Sequence, residues 1–359
     1  MRKIQALMEQ AVSEGVFPGG IVAWGNRKGL VEEVAVGRIR TTPPPPGPVV
    51  TPETLFDLAS LTKPLVTGAL LLLSASEGRL TLSDLVKWHL PESSGSWVGE
   101  ATIRELLSHS SGLVAWAPLY ERIDLSEDSE ARKKKLLEEI IALPPAAPKG
   151  GKAVYSDFGF MLLGWILENV WKKPLDLLYR ERIAGPLGID GADFLTPASP
   201  LEGMIRQGRL FAASTELDPV TGDPLTGIVH DEHCRVLGGV SGHAGLFGTA
   251  KAVWLLARPW VGGEFFPRAW LEVFRSRQEG LEWALGWDTP TKGSSSGRLM
   301  TPGASIGHLG YAGTSVWIDY GKDRIVVLLT NRVHPVRTNN RIREFRPILH
   351  DAVLETFEE

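Results

Sequence analysis

Strand-like segments lie near both ends of this chain, and a long region with helical periodicity separates them. Near the N-terminus, residues 20–24 and 30–36 are rich in β-branched residues and are joined by a short polar turn. Near the C-terminus, residues 313–320 and 324–330 form a second hairpin pattern around a glycine-containing turn. Strands at opposite ends of a chain must come together to make one sheet. The sequence therefore predicts an α+β fold, in which a mostly helical region is inserted into an antiparallel sheet.

The same pattern divides the chain into two predicted regions. Residues 1–62 and 283–359 would form an α/β sheet domain, and residues 63–282 a mostly helical domain. Terminal helices are expected to flank the sheet, one with an apolar face near the N-terminus and one opened by Pro347 near the C-terminus. The N-terminal face consists of Ile4, Leu7, Met8, Ala11 and Val12. Because clefts between domains often hold active sites, we expect the site at this junction.

The composition argues against several classes of protein. The 359 residues carry a formal net charge of −4, and no extended basic face suggests a nucleic acid partner. Glu9, Gln10 and Glu14 interrupt any signal-peptide core, and no apolar stretch approaches membrane-spanning length. We therefore expect a cytoplasmic protein without a membrane partner. The single cysteine, Cys234, allows no intrachain disulfide and is interpreted as structural.

The tetrad Ser60-Leu61-Thr62-Lys63 lies where a polar loop leads into a long apolar helix, and it is the only Ser-x-x-Lys of the chain. Three residues along a helix place the lysine on the same face as the serine, within reach of its hydroxyl. Pro64 fits the first turn of such a helix. The free N–H groups of a helix N-terminus also favour a developing negative charge. These features indicate a nucleophilic serine with a neighbouring proton acceptor.

Two further polar segments stand at predicted element boundaries. Tyr155-Ser156-Asp157 precedes an apolar helix, where the tyrosine can serve as a general base. On the triplet alone, an ordinary turn or helix cap at Ser156 or Asp157 is the favoured explanation. The segment Gly307-His308-Leu309-Gly310-Tyr311 leads into a strand, whose exposed N–H groups can hold an oxyanion. The structural alternative for this segment is a glycine-rich bend with a buried histidine.

Two other patterns match catalytic or metal sites by letter only. Gly293-Ser294-Ser295-Ser296-Gly297 has the spacing of a nucleophile elbow, but it reads as a loop rather than as a strand-to-helix turn. His230, His233 and His243 lack the spacing and the cysteine partners of a zinc site. We therefore predict no metal ion and no cofactor.

Together, the three segments around Ser60, Tyr155 and His308 resemble the serine β-lactamase and penicillin-binding-protein superfamily. Its motifs are Ser-x-x-Lys, Tyr-x-Asn, and Lys-Thr-Gly or His-x-Gly. The resemblance is strongest to the branch that holds class C β-lactamases, D-alanyl-D-alanine carboxypeptidases, D-aminopeptidases and related esterases. It runs over residues 19–331 and implies the β-lactamase/transpeptidase-like fold. The flanking segments that share it are 78–84, 102–113 and 238–246.

The resemblance implies a role for each matched residue. Ser60 would be acylated, and Lys63 would accept its proton. Tyr155 would act as general base with Lys63 and later protonate the leaving group. The backbone N–H groups of Ser60 and Tyr311 would form the oxyanion hole, and His308 would bind substrate or orient Tyr155. The substrate-binding and oxyanion residues would thus be Asp157, His308, Gly310 and Tyr311.

Two departures from the family motifs bear on the substrate. At the third motif, Leu309 offers no hydroxyl, and His308 is expected to be only partly charged at neutral pH. At the second motif, Asp157 replaces asparagine; if ionised, it would repel anionic substrates and could pair with Lys63, keeping the lysine protonated. Both changes favour neutral esters, or substrates that carry an amine. We predict a serine esterase that acts on short acyl esters through an acyl-enzyme.

Other functions stay open at this point. A D-amino-acid amidase or D-aminopeptidase is one, because the family's D-aminopeptidases also use His-x-Gly and Asp157 could bind an ammonium group. A D-alanyl-D-alanine carboxypeptidase, a weak β-lactamase and a non-catalytic penicillin-binding or sensor module are others. In every case the expected partner is a small-molecule ester, amide or β-lactam.

Overall fold

Strands from both ends of the chain form one antiparallel sheet, as the sequence predicts. The computed structural model describes residues 2–358. Its strands are β1 Gly19–Gly25, β2 Leu30–Gly37, β3 Phe56–Asp57, β4 Ala192–Phe194, β5 Leu246–Gly248, β6 Ser305–Leu309, β7 Ser315–Asp319 and β8 Arg324–Thr330. The main sheet has the order β2-β1-β8-β7-β6, and a small second sheet has the order β3-β5-β4. The predicted α+β class is thus observed.

Helices make up most of the remaining ordered structure. They are α1 Arg2–Ser13, α2 Ala69–Ser76, α3 Val86–His89, α4 Ile103–Leu107, α5 Ser129–Ala142, α6 Asp157–Trp171, α7 Leu175–Tyr179, α8 Gly185–Leu187, α9 Pro200–Arg206, α10 Glu232–Val236, α11 Ala250–Val261, α12 Arg268–Arg275 and α13 Ile342–Glu355. Shorter 3₁₀ turns lie at Ala59–Leu61, Pro91–Ser93, Val98–Glu100 and Leu119–Arg122, and π turns lie at Lys63–Gly68 and Arg180–Ala184.

The central strands β1 and β8 are buried along their whole length. Gly20 pairs with Thr330 and Val22 with Leu328, which joins the two ends of the chain in the middle of the sheet. Helices α1 and α13 cover one face, and α11 packs on the other. Because both faces are covered, these strands are continuous apolar runs rather than alternating ones.

The C-terminal helix begins five residues before the predicted start. Helix α13 starts at Ile342, and Pro347 lies inside it rather than at its first turn. A proline in a helix removes one N–H, and the carbonyl left without its partner is that of Arg343, an exposed residue. Burial of apolar residues such as Leu349 and Val353 against the sheet offsets this loss.

Helix α11 lies within residues 63–282, the region predicted as the helical domain, yet it packs on the main sheet against β1, β7 and β8. The other long helices of that region surround α2 in a large apolar cluster. The division into two domains stays a prediction. In the structure, residues 250–261 pack with the sheet rather than with the helical region.

The helical stretch Ala59–Ser76 is the core element that carries the first motif. Among residues 2–358, it is the helical stretch long and apolar enough to cross a membrane, and 89% of it is buried inside the fold. The expectation that no apolar stretch approaches this length was therefore wrong. Its side chains pack against the protein's own core, from Leu65 to Leu72.

Candidate active site

The side chains of Ser60 and Lys63 are in direct contact at the start of the buried helical stretch. The Lys63 Nζ lies 2.7 Å from the Ser60 Oγ, which confirms the contact predicted from their spacing. The same Nζ lies 2.7 Å from the Asp157 Oδ1 and donates to the His243 carbonyl at 3.2 Å. An ammonium group has three donors, so each donor of Lys63 has an acceptor.

Asp157 determines the charge state of Lys63. Burial disfavours a charge on Lys63, but the Asp157 carboxylate, together with hydrogen bonding to the Tyr155 oxygen, outweighs burial and raises the lysine pKa above its ordinary value. The lysine is therefore protonated at neutral pH, as expected from its pairing with Asp157. Asp157 is the first residue of α6, where the helix dipole favours a carboxylate. Ser156 caps this helix, so the capping explanation of the triplet holds alongside the ion pair.

Tyr155 lies over the lysine with its phenol un-ionised. The Lys63 Nζ is 4.9 Å from the Tyr155 ring centroid. Burial raises the pKa of Tyr155, and although the charge of Lys63 opposes this, the net shift is upward. The ring is packed by His109, with ring centroids 4.6 Å apart, and by Trp283, at 5.5 Å. Ser60, Lys63, Tyr155 and Asp157 thus form one connected cluster.

His308 is neutral rather than partly charged, so that expectation was wrong. Burial, together with the nearby charge of Lys63, lowers the pKa of His308 to about 3. The Nδ1 lies 2.9 Å from the Leu309 carbonyl, which can only accept, so Nδ1 carries the proton. The Nε2 is then a buried acceptor without a partner among residues 2–358. Its ring centroid is 5.9 Å from that of Tyr155.

His109 is a second buried histidine beside Tyr155, and the sequence did not single it out as a site residue. The Ser156 N–H donates to its Nδ1 at 3.1 Å, so its proton is on Nε2. Burial lowers the pKa of His109 well below its ordinary value, which keeps this ring neutral as well. The wall that the rings of His109, Trp283 and His308 form beside Tyr155 is therefore aromatic and uncharged.

The two amides predicted for the oxyanion hole are free to bind a substrate. Within residues 2–358, neither the Ser60 N–H nor the Tyr311 N–H has a hydrogen-bond acceptor. Arg332 donates to the Tyr311 carbonyl at 2.6 Å and fixes this peptide. Gly310 must be glycine, because a Cβ there would lie 2.0 Å from the Thr314 Oγ1 and 2.6 Å from the Leu58 carbonyl. All the predicted site residues thus meet in one place.

A cavity of about 850 Å³ opens over Ser60. Trp116 and Trp283 line it, whereas Trp287 is buried in the core against Trp260. Part of the cavity wall comes from α13 and the segment before it, and this part carries several arginines. This charged wall was not predicted, since nothing local in the sequence places α13 beside the first motif.

Of the three histidines weighed as a metal site, His230 and His243 have polar side-chain partners, whereas His233 packs against aromatic rings and has no hydrogen bond from its ring among residues 2–358. The His243 Nε2 lies 2.7 Å from the Asp231 Oδ1, and its Nδ1 lies 2.9 Å from the Ser241 Oγ. These contacts hold the carbonyl that accepts from Lys63. The His230 Nε2 lies 3.1 Å from the Glu216 Oε2. Cys234 is buried and contacts the Ala244 carbonyl, in agreement with its structural interpretation.

Comparison with known proteins gives the family. The beta-lactamase family model matches residues 3–347. The chain belongs to the beta-lactamase family. A putative D-alanyl-D-alanine carboxypeptidase of Escherichia coli (strain K12) is 33% identical over 313 residues, covering 79% of this chain and 70% of that protein. An N-acetylmuramyl-L-alanine amidase of Bacillus subtilis (strain 168) is 30% identical over 369 residues, covering 93% of this chain and 81% of that protein.

A solved structure has the same fold as this beta-lactamase family member. EstCE1, described as a hydrolase with promiscuous acyltransferase activity, superposes with a TM-score of 0.73 at 23% identity, covering 96% of this chain and 98% of that chain. At this identity the likeness concerns the fold alone. The resemblance and the β-lactamase/transpeptidase-like fold predicted from the sequence are confirmed. As a member of the beta-lactamase family, the protein is a serine hydrolase.

Proposed function

We propose that this serine hydrolase is an esterase that cleaves short acyl esters through an acyl-enzyme on Ser60. The observation that carries the proposal is the uncharged wall beside the nucleophile, where His308 is neutral and Leu309 has no hydroxyl. A family member with Lys-Thr-Gly at this position can hold a substrate carboxylate there. A neutral wall removes that attraction and leaves an apolar, aromatic surface that suits an uncharged acyl group.

The proposed reaction uses the cluster around Lys63. Once Lys63 has lost its extra proton, it takes the proton of the Ser60 hydroxyl, and the Oγ attacks the ester carbonyl. The negative oxygen of the tetrahedral intermediate is held by the N–H groups of Ser60 and Tyr311. Tyr155 gives its proton to the leaving alcohol and is reprotonated from Lys63. Water then attacks the acyl-enzyme and releases the acid.

Replacing Asp157 with asparagine is expected to shift the pH dependence of kcat/KM to lower pH. Asp157 raises the pKa of Lys63, and only neutral lysine accepts a proton, so the activity of the unaltered protein rises towards alkaline pH. In Asp157→Asn the attraction is lost, burial of the lysine dominates, and its pKa falls. The rising limb therefore moves to lower pH, and activity at neutral pH increases relative to the alkaline plateau. A series of ester hydrolysis rates between pH 5 and 10 measures this.

Glu232→Gln provides the matched control for this shift. Glu232 also lines the cavity, but its carboxylate pairs with Arg337 rather than with Lys63. In Glu232→Gln, the rising limb of the pH profile of kcat/KM should lie at the same pH as in the unaltered protein. A limb that is unmoved in Asp157→Asn, or that moves to higher pH, would show that Lys63 is not the proton acceptor.

Hydrolysis of a peptide that ends in D-alanine is the second candidate. Arg343 is exposed at the cavity wall and has no carboxylate partner among residues 2–358, so it is available to a substrate carboxylate. The Escherichia coli relative is named a putative D-alanyl-D-alanine carboxypeptidase. In this reading the anionic end of the substrate would lie against α13, and the neutral wall at His308 would contact the acyl side.

A substrate panel separates the two candidates. The panel consists of p-nitrophenyl acetate and butyrate, an acyl-D-alanyl-D-alanine peptide, D-alanine amide and a chromogenic cephalosporin. The esterase proposal expects the highest kcat/KM for the nitrophenyl esters and a covalent adduct on Ser60 after treatment with a fluorophosphonate. Faster turnover of the peptide, lost in Arg343→Ala, would favour the second candidate. Absence of any adduct on Ser60 would remove both.

A further inference from the structure

The turn that presents Ser60 is held in a conformation that its sequence does not favour. Ala59 has φ of +49°, in the left-handed region that non-glycine residues rarely occupy. It lies directly before the nucleophile, so its conformation sets the direction of the Ser60 N–H. A strained residue of this kind persists only where surrounding contacts fix it.

The contacts that fix this turn are specific hydrogen bonds. The Ala59 N–H donates to the Asp57 Oδ1 at 2.8 Å, and the Thr62 hydroxyl donates to the Ala59 carbonyl at 2.7 Å. The Thr314 hydroxyl, from across the site, donates to the Leu58 carbonyl at 3.0 Å. These bonds engage the Ala59 N–H and the Leu58 and Ala59 carbonyls, while the Ser60 N–H has no acceptor among residues 2–358 and is available to the cavity.

The second oxygen of the same carboxylate supports the other oxyanion donor. The His230 N–H donates to the Asp57 Oδ2 at 2.7 Å. The His230 ring stacks on the Tyr311 ring, with centroids 5.7 Å apart and planes 24° from parallel. Arg332 also contacts the Tyr311 ring, with its guanidinium 4.6 Å from the ring centroid. One buried carboxylate therefore connects the supports of both amides.

The Asp57 side chain is not positioned to contact a substrate bound in the cavity. It lies on the two-residue strand β3, pairs with Phe247 and is 2% exposed, and it does not line the cavity. We propose that Asp57 is a positioning residue, which aims the Ser60 N–H through Ala59 and seats Tyr311 through His230, so that both oxyanion donors depend on it. This inference rests on the proposed acyl-enzyme function of Ser60.

Asp57→Asn tests the inference directly. An asparagine offers one accepting oxygen and one NH₂ group, so it can satisfy either Ala59 or His230 but not both. We expect kcat for a nitrophenyl ester to fall about 10- to 100-fold, with KM changed by less than about threefold, because the oxyanion forms after binding. The second-order rate of Ser60 labelling by a fluorophosphonate should fall by a similar factor.

Two further variants distinguish positioning from general stability. Asp193→Asn makes the same change at another buried aspartate that accepts a backbone N–H, outside the cavity, and should leave kcat unchanged. In Asp57→Asn/Ala59→Gly, glycine adopts the left-handed turn without strain, so we expect recovery of at least about fivefold in kcat relative to Asp57→Asn. A structural defect alone would not be rescued by this change.

The outcomes separate the two proposals. No labelling of Ser60 in the unaltered protein would overturn the acyl-enzyme function, whereas normal labelling with unchanged kcat in Asp57→Asn would overturn the positioning role alone. An equal loss in Asp193→Asn, or no recovery with Ala59→Gly, would also overturn it. If Asp57→Asn does not fold, Thr314→Val is the alternative variant, because it removes the hydrogen bond from the Thr314 hydroxyl to the Leu58 carbonyl of the same turn. A lowered kcat at constant KM then supports the inference, and an unchanged kcat contradicts it.

Discussion

Ser60→Ala is expected to abolish ester hydrolysis, with a fall in kcat of at least about 10⁴-fold. The reason is that alanine cannot form the acyl bond, and no other hydroxyl takes the position 2.7 Å from the Lys63 ammonium. Steady-state hydrolysis of p-nitrophenyl butyrate measures the loss. Mass spectrometry after fluorophosphonate treatment should show the adduct on the unaltered protein and none on the variant.

Ser295→Ala is the informative control for this experiment. Ser295 is the middle residue of the Gly-x-Ser-x-Gly match and lines the same cavity. It lies in a loop without a flanking strand and helix, and its hydroxyl has no partner in the part of the chain that the structure describes. We expect this variant to retain ester hydrolysis and the adduct on Ser60. Activity that survives Ser60→Ala and disappears with Ser295→Ala would show that Ser295 is the nucleophile and would contradict our proposal.

Lys63→Met is expected to have the second largest effect, and it should act on both activity and stability. Methionine fills similar space but accepts no proton, so kcat should fall about 10³- to 10⁴-fold. Asp157, with 18% of its side chain exposed, loses its partner, and the free energy of unfolding should fall by about 3 kcal/mol. Ester kinetics and denaturant unfolding measure the two effects separately.

The double variant Lys63→Met/Asp157→Asn separates these two effects. Removing the unpaired carboxylate should restore most of the lost stability, because the remaining groups are uncharged. It should restore none of the activity, since the proton acceptor is still absent. Recovery of ester turnover in the double variant would show that Lys63 acts only as a counter-ion for Asp157.

The parts of the fold and site that follow from local spacing could be predicted from the sequence. Strand β8 was placed at its observed bounds, because a β-branched run between turn residues identifies a buried strand. The contact between Ser60 and Lys63 follows from helical geometry. The strands β4 and β5 were missed, since three residues each are too few to show any periodicity.

The parts that depend on tertiary burial could not be predicted. The charge of His308 is determined by the elements packed around it, and nothing in its own segment indicates that its pKa falls to about 3. His109 belongs to a segment similar to the family, yet only the fold brings its ring against Tyr155. The start of α13 was misplaced because proline is a common first residue of helices, whereas here the packing of Leu349 and Val353 carries the helix past Pro347.

The pairing of β1 with β8 has a consequence for the synthesis of the protein. Gly20 must find Thr330, and at typical elongation rates the roughly 300 residues between them take about 15 to 60 s to emerge. During that interval β1 has β2 as its neighbour and an open edge on the other side, which can pair with another chain. Closing so long a loop is also slow, because its entropy is lost before the strand contacts form. The risk of aggregation therefore falls on the nascent chain, and it ends when the last hairpin fills the middle of the sheet.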